Sequence, residues 1–424
     1  MATAPIERFA TLDATRGAAV MGILLINIIS FSMPEQAYIS PLAWGGTGPV
    51  DIGVWVINQL FFEGRMRGLF ALLFGASAML VMARAEAKAE SAASIHLRRM
   101  AALALFGLAH CFLIWEGDVL FHYAVLGSLL LFVRNWNVKA LVRTAIALLL
   151  LHTLFWGIQF AGALHFESVA TAPGASAEMI RQYQAMVQSF PGPDSPTIAR
   201  DLAAYRGDYA TVFDYRLTHR ATVPFQLLMV LGGETLGYML LGVALMKSGL
   251  FTGGWDRAHV RRFMLICYAV SLPAMAALTA WQLLSGFNPI VLMGVFLSWS
   301  IPFRVAMTLA HAALIVLLVT RFANSAIVAR VAATGRMAFT NYLMTSIVMT
   351  TIFYGYGLGL FGHVGRAEVY LFVLAMWALM LLWSKPWLDR FVYGPFEWLW
   401  RSLARLRLQP MRHTNHLASV SQYP

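Results

Sequence analysis

The chain has 424 residues, of which 59% are hydrophobic and 12% are charged, and its formal net charge is +11. A soluble domain carries about 25% charged residues, so this composition excludes a soluble globular protein. The basic residues occur singly between hydrophobic runs, without the interleaved aromatic residues of a nucleic-acid-binding surface. We therefore expect an all-α integral membrane protein in a lipid bilayer, with no nucleic-acid partner.

The apolar runs predict how often the chain crosses the bilayer. A helix needs about 20 mainly apolar residues to cross a hydrocarbon core of ~30 Å. By that rule the sequence predicts a polytopic bundle of about ten transmembrane helices. The predicted spans are 15–33, 54–82, 98–115, 119–134, 140–163, 222–246, 262–284, 302–320, 336–359 and 367–386. The short apolar region 288–301 is interrupted by proline, so it either re-enters the membrane or extends the eighth span.

The distribution of Lys and Arg predicts the orientation. They fall in alternate loops and in the C-terminal tail, so the positive-inside rule places these segments and both termini in the cytoplasm. The predicted organisation is an N-terminal membrane bundle (1–163), an outward helical loop (164–221), a C-terminal membrane domain (222–400) and a basic tail (401–424). The segment WLDRFVYGPFEWLWRSLARLRLQPMRH predicts an amphipathic helix at the inner membrane surface.

A polar cluster in AHCFLIWEGDVLFHY is the first candidate site: His110, Glu116, Asp118 and His122. Ionisable groups at membrane depth are costly, which favours a catalytic role for the four. Asp118 and His122 are four residues apart, so a carboxylate could orient an imidazole as a general base. The alternative is that Asp118 caps a helix and the histidines only pack. The spacing matches no common ligand pattern, so we predict no metal site.

Polar residues at two inner helix ends form the second candidate site. Asp13 and Arg16 open the first span, and the guanidinium fork of arginine suits the phosphate oxygens of a cofactor. The plain alternative is that Asp13 is an N-cap and Arg16 a membrane-surface anchor. Arg336 and Asn341, in GRMAFTNYLMTS, either contact the same cofactor or join helices.

Arginines on the outward side form the third candidate site. Arg65 and Arg67 begin an apolar stretch where the positive-inside rule does not expect them, so they imply an anionic partner. That partner is either a substrate carboxylate or phosphate, or an acidic residue of the fold. The acidic candidates are Glu63, Asp51, Asp118 and Glu234.

Several motifs carry a family resemblance across nearly the whole chain. They are LDATRGAAVMGILLINI, GLFALLFGAS, FGLAHCFLIWEGDVLFHYAVLG, LGYMLLGVALMKSGLF, GRMAFTNYLMTS and GPFEWLWR. Together they resemble the YeiB family of bacterial inner-membrane proteins. The resemblance implies a multi-pass protein of the bacterial inner (plasma) membrane.

The N-terminal part is also similar to transmembrane acyltransferases of the heparan-alpha-glucosaminide N-acetyltransferase type. The matching residues are Asp13, Arg16 and Gly17, followed by Trp44 and Asp51. The similarity implies a membrane-bound acyltransferase that moves an acyl group from cytoplasmic acyl-CoA to an outward glycan or small-molecule acceptor.

One departure affects the catalytic base that this similarity implies. The acetyltransferases carry an essential histidine in the first outward loop, whereas SMPEQAYISPLAWGGTGPVD contains none. Acyl transfer would then need His110 as the base, with Asp118 orienting it and His122 in reserve. The alternative function is a transporter or exporter of a small anionic or lipid-linked solute, with Arg65, Arg67 and Glu234 along its path.

Overall fold

The computed structural model describes residues 5–188 and 195–413, so the end of the predicted tail, 414–424, lies outside the described residues. These ranges fold into nineteen α-helices and one π-helical turn. The first ten helices are α1 (Pro5–Ser32), α2 (Gln36–Ile39), α3 (Pro49–Phe61), α4 (Arg65–Ala87), α5 (Ala92–Leu113), α6 (Leu120–Ser128), α7 (Leu130–Val133), α8 (Val138–Ala170), α9 (Ala177–Gln188) and α10 (Pro196–Tyr205). The others are α11 (Tyr209–His219), α12 (Val223–Ser248), α13 (Arg257–Leu284), α14 (Pro289–Gly294), the π-helical turn (Val295–Trp299), α15 (Ile301–Arg321), α16 (Ala326–Arg336), α17 (Ala338–Phe353), α18 (Tyr370–Arg390) and α19 (Pro395–Arg405).

The helices confirm a polytopic all-α membrane protein. Eight helical segments are long and apolar enough to cross a membrane, and they match eight of the ten predicted spans. The other two predicted spans are shorter than expected. The span at 119–134 is divided into α6 and α7, and the span at 336–359 contains only the 16-residue α17. At 1.5 Å per residue, a helix of 16 residues covers about 24 Å, less than the ~30 Å hydrocarbon core.

The predicted span 54–82 is broken in the middle. α3 ends at Phe61 and α4 starts at Arg65, and Gly64 between them has a φ of +73°, which an L side chain rarely adopts. A broken helix leaves backbone carbonyls without their helical partners. Nη1 of Arg65 donates to two of them, the carbonyls of Gln59 (2.9 Å) and Glu63 (2.5 Å). A buried guanidinium therefore stabilises the break.

A second irregular segment lies at the start of α15. The region 288–301 forms α14 and the π-helical turn, and this short apolar helix, Pro289–Trp299, is not among the eight segments long enough to cross. Its start is capped by the side chain of Asn288, which accepts from the backbone of Ile290 at 2.9 Å. Its turn is fixed to α8, because Ser298 Oγ donates to the carbonyl of Thr153 at 2.7 Å. The region therefore leads into α15 rather than forming a span of its own.

The helix ends gather on two faces of the bundle. We call one the terminal face, because it joins the start of α1 to α16 and the C-terminal α19 to α5. It includes the α4–α5 turn, where Arg405 of α19 lies 3.6 Å from Glu90. We call the other the loop face. There the segment after α1 meets the segment after α17, since Arg366 donates its backbone N–H to the carbonyl of Gly45 at 2.6 Å.

The long loop between α8 and α12 is helical, as predicted, and packs on the loop face. Its α11 places Arg216 against Glu116 of the α5–α6 turn, with Nε 3.3 Å from Oε2. Tyr205, at the end of α10, also donates a hydrogen bond to Glu116. The two predicted membrane domains are in direct contact, because α12 packs against both α4 and α8.

Candidate functional site

A cavity of about 430 Å³ opens near the terminal face. This volume lies in the range of roughly 300–1,000 Å³ that is typical of small-molecule sites. Its walls come from α1, α4, α5, α6, α16, α17 and α19 and from the turn between α18 and α19. The inner part is lined mainly by apolar and aromatic side chains: Phe70, Leu73, Phe74, Met100, Leu103, Leu120, Tyr123, Phe339 and Tyr342.

The outer part of this cavity is strongly basic. Five arginines line it against two carboxylates, which leaves an excess of three positive charges. The residues are Arg16, Arg84, Arg99, Arg336 and Arg401, with Asp13 and Glu397. Guanidinium groups bind phosphate oxygens in a planar, bidentate geometry. The cavity therefore suits a ligand with a polyanionic head and a slender apolar tail.

Asp13 and Arg16 form an ion pair, which the sequence analysis did not predict. Arg16 Nη1 lies 2.7 Å from Asp13 Oδ1, and its Nη2 donates to Ser77 Oγ at 2.9 Å. The N-cap alternative for Asp13 is wrong, because α1 begins at Pro5 and Asp13 lies well inside it. Both residues line the cavity.

The two predicted cofactor residues near the start of α17 have different surroundings. Arg336 is exposed and lines the cavity. Asn341 is buried, and its amide donates to the carbonyl of Thr334 (3.0 Å) and to Ser384 Oγ (3.2 Å). Its oxygen accepts from the indole of Trp383 at 3.0 Å. Asn341 thus joins α17 to α16 and α18, and it is not part of the cavity wall.

The C-terminal helix α19 forms one wall of the cavity, a contact that the sequence did not reveal. Glu397 of α19 is buried and accepts from the backbone N–H (2.9 Å) and hydroxyl (2.5 Å) of Thr340. Burial raises the pKa of Glu397. Trp400 donates to the carbonyl of Arg99 at 2.9 Å, and the Arg99 guanidinium lies 4.1 Å above its ring. The described part of the tail is therefore held by protein contacts and borders the basic mouth.

A buried histidine–carboxylate pair lies beyond the inner end of the cavity. His110 Nδ1 is 2.8 Å from Asp118 Oδ2, and both residues are almost fully buried. Asp118 Oδ1 accepts from the backbone N–H groups of Leu120 (2.9 Å) and Phe121 (3.0 Å), so the carboxylate is fixed by α6. His110 Nε2 is buried without a hydrogen-bond partner in the described part of the chain. This is the arrangement of an oriented general base.

Tyr342 separates this pair from the cavity. Its ring lines the cavity and lies 5.3 Å, centroid to centroid, from the His110 ring. The hydroxyl of Tyr342 accepts from the backbone N–H of Val119 at 3.4 Å. Tyr342 also borders a small void of about 10 Å³ between α1 and α17, which is no larger than a water molecule needs.

The other two members of the predicted catalytic cluster lie apart from the pair. The predicted contact between Asp118 and His122 is wrong, because Asp118 precedes the start of α6 and turns to His110 instead. His122 Nε2 lies 2.9 Å from Thr235 Oγ1. Glu116 contacts Arg216 and Tyr205 of the long loop.

Arg65 and Arg67 belong to a buried ion cluster, which we define as Glu63, Arg65, Arg67, Glu234 and Arg304. Arg67 Nη2 lies 3.3 Å from Glu234 Oε2. Arg304 lies 3.1 Å from both Glu63 and Glu234. Asp51 is not a member, since its Oδ1 accepts from the backbone N–H of Ala367 at 3.0 Å. Sequence reasoning missed Arg304, although an arginine inside the apolar eighth span is a signal that could have identified it.

Comparisons with known proteins place this architecture in a family. The chain is 32% identical over 409 residues to YeiB of Escherichia coli (strain K12), which covers 94% of this chain and 96% of that protein. The chain belongs to the YeiB family. It is also 32% identical over 424 residues to YxaH of Bacillus subtilis (strain 168), covering 96% of each chain. Both relatives are described as uncharacterized. Residues 245–407 match a family model described as a protein of unknown function, DUF418. No solved structure matches the chain.

Proposed function

We propose that this protein is a membrane-bound acyltransferase that uses cytoplasmic acyl-CoA to modify an acceptor on the other side of the membrane. The observation that carries the proposal is the cavity, which combines an arginine-rich mouth with an apolar interior that ends at Tyr342, a neighbour of His110. The phosphates of coenzyme A match the mouth, and the pantetheine arm and acyl group match the interior. The positive-inside rule assigns the basic terminal face, and with it the mouth, to the cytoplasm of the inner membrane.

The pair His110–Asp118 supplies the base for this reaction. Asp118 accepts the Nδ1–H of His110, which leaves Nε2 as the proton acceptor. Nε2 takes a proton from the acceptor hydroxyl or amine as that group attacks the thioester carbonyl. A new C–O or C–N bond forms, the C–S bond breaks, and the leaving thiolate takes the proton back from the imidazolium. Access of the substrates to Nε2 requires the Tyr342 side chain to move aside.

The experiment uses proteoliposomes with [14C]acetyl-CoA on the side of the chain termini and a pool of amino sugars and glycans on the other. We expect covalent label in the acceptor pool. General-base catalysis typically contributes roughly 10²–10⁴-fold, so His110→Ala should lose that much rate while coenzyme A still binds. His363→Ala, an exposed histidine of the loop face, is the matched control and should transfer normally.

Two outcomes contradict the proposal. Normal transfer by His110→Ala removes the base assignment. Passage of a labelled solute across the membrane without a new covalent bond, combined with no transfer, indicates a carrier instead. Asp118→Asn tests the pair separately. Asn keeps an oxygen for the α6 backbone but orients the imidazole poorly, so the rate falls and its pH profile changes while coenzyme A affinity does not.

A further inference from the structure

The buried ion cluster carries an unbalanced charge. Its three arginines face two glutamates, so one positive charge is in excess. Arg65 and Arg304 have fully buried side chains. A buried charge without compensation is expensive in free energy, and more so at membrane depth. Three histidines lie near the cluster, His122, His152 and His311, and protonation of any of them would only add to the excess.

The hydrogen bonds of the cluster are incomplete as well. Nε and Nη2 of Arg65 are buried and have no hydrogen-bond partner in residues 5–188 and 195–413. Arg304 Nη2 lies 3.1 Å from Glu234 Oε1, but the two groups are not aligned for a hydrogen bond. Buried guanidinium donors are normally satisfied. These buried N–H donors of the guanidinium groups are therefore available to bind an oxygen-bearing anion.

Both irregular segments of the membrane bundle meet at this cluster. The break between α3 and α4 contributes Glu63 and Arg65. The π-helical turn contributes Phe296, whose ring lies 5.7 Å from the Arg67 guanidinium and 5.9 Å from that of Arg304. π-Helical turns are frequent at functional sites, and irregular backbone at membrane depth is tolerated where it lines a cavity or is buried in protein.

The cluster is accessible at one edge and lies beside the cavity. The Arg67 side chain is 19% exposed, next to the half-buried Phe296 and Tyr38, whose rings are 6.1 Å apart. On the opposite side, Tyr123 lines the cavity and donates its hydroxyl to the carbonyl of Arg67 at 3.1 Å. The backbone of Arg67 is therefore one hydrogen bond away from a residue that lines the cavity.

We infer that the buried ion cluster binds a singly charged oxyanion, and that this is a carboxylate or phosphodiester group of the acceptor. The second part rests on the proposed function. A single negative charge neutralises the excess, and the planar guanidinium of Arg65 offers two donors to two oxygens. The acceptor would thus be an acidic sugar or a comparable acidic metabolite, held by its anionic group while its hydroxyl or amine faces the cavity.

The binding test measures thermal unfolding of the purified protein in nanodiscs. Sodium acetate or sodium dimethyl phosphate replaces sodium chloride at constant ionic strength, without acyl-CoA. A ligand that binds only the folded state raises the Tm, and at tens of times its Kd we expect a rise of roughly 2–3 °C. The sign of the cluster charge predicts how variants respond. Arg67→Gln or Arg304→Gln removes the excess and abolishes the rise, whereas Glu63→Gln doubles the excess and enlarges it.

Arg220→Gln is the control variant. Arg220 belongs to a separate ion pair of the loop face, with Glu35 at 2.5 Å, and its response should equal that of the wild type. An equal Tm in chloride and in both oxyanions contradicts the inference, as does a Glu63→Gln response smaller than that of the wild type. The response of Glu63→Gln still tests the inference if Arg304→Gln fails to fold.

A second experiment, which measures acyl transfer, identifies the source of the anion. It compares an amino sugar that bears a carboxylate with the same sugar without it. We expect at least tenfold faster transfer to the charged sugar, and inhibition of that transfer by acetate. Equal rates for both sugars, with the Tm rise intact, would overturn the acceptor assignment and leave a structural anion. A Tm rise without any acyl-CoA binding contradicts the proposed function alone.

Discussion

Arg401 offers the sharpest test of the cavity mouth. It lines the cavity from α19, and its guanidinium lies 4.7 Å from the centre of the Tyr393 ring. In the described part of the chain no carboxylate lies within salt-bridge distance of it, and Glu397, one turn earlier in α19, interacts with it only at longer range. The substitution Arg401→Gln removes one of the five mouth arginines and lowers the excess charge from three to two.

The expected loss follows from the bonds that this guanidinium would make. A hydrogen bond to a charged group contributes about 1.5–3 kcal/mol, and each 1.4 kcal/mol is tenfold in Kd. We therefore expect coenzyme A to bind roughly 10- to 100-fold more weakly to Arg401→Gln. Because ions screen the partly exposed site, the loss should shrink at higher salt.

The assay is isothermal titration of the protein in nanodiscs with coenzyme A and with pantetheine. Pantetheine lacks the nucleotide phosphates, so its affinity should not change in Arg401→Gln. Arg405→Gln is the matched control. Arg405 lies one turn further along α19, pairs with Glu90 and does not line the cavity. Equal losses for the two variants, or an equal loss of pantetheine affinity, would refute this account of the mouth.

Three further predictions concern the structure around the sites. Burial raises the pKa of Glu397, so its contribution to the docking of α19 is present at low pH and lost as pH rises through that pKa. Hydrogen exchange in α19 should therefore accelerate with pH by more than the intrinsic exchange rate does. The substitution Glu397→Gln should remove this extra acceleration. Gly335→Ala should lower the free energy of unfolding by about 1–3 kcal/mol, because the new Cβ would meet the backbone of Asp13. The control is Gly162→Ala, where the Cβ has open space, and it should not destabilise the protein in a parallel thermal melt. Glu116→Gln weakens the contact with Arg216, so the melt should show a loss of about 1–3 kcal/mol while titration shows unchanged coenzyme A affinity.

The sequence predicted most of the membrane helices because each depends on a local run of apolar residues. It overestimated two spans, because apolar character alone does not show that α6 and α7 divide at Leu129 or that α17 ends at Phe353. It also treated α3 and α4 as one helix. The break at Gly64 is stabilised by Arg65 and by close contact with Arg304, which is 240 residues away in the chain and therefore invisible to a local pattern.

Some contacts of the candidate sites could be predicted from the sequence and others could not. The pair Arg67–Glu234 was among the predicted contacts, whereas the pair Asp13–Arg16 was not. Helical spacing alone favoured His122 as the partner of Asp118, whereas the base assignment paired Asp118 with His110, which is the residue that the carboxylate contacts. The basic mouth depends on helices from both ends of the chain, with Arg99 and Arg401 brought together by the docking of α19. The spacing of residues along the sequence cannot predict this contact between distant helices.

The most direct test of the central claim is photolabelling with an acyl-CoA that carries a diazirine at the end of its acyl chain. After irradiation in nanodiscs, peptide mass spectrometry locates the label. We predict label on the inner lining of the cavity, on Leu103, Leu120, Tyr123 or Tyr342, and its disappearance with excess coenzyme A. Label confined to the lipid-facing residues of α8 or α13, unchanged by coenzyme A, would contradict the claim.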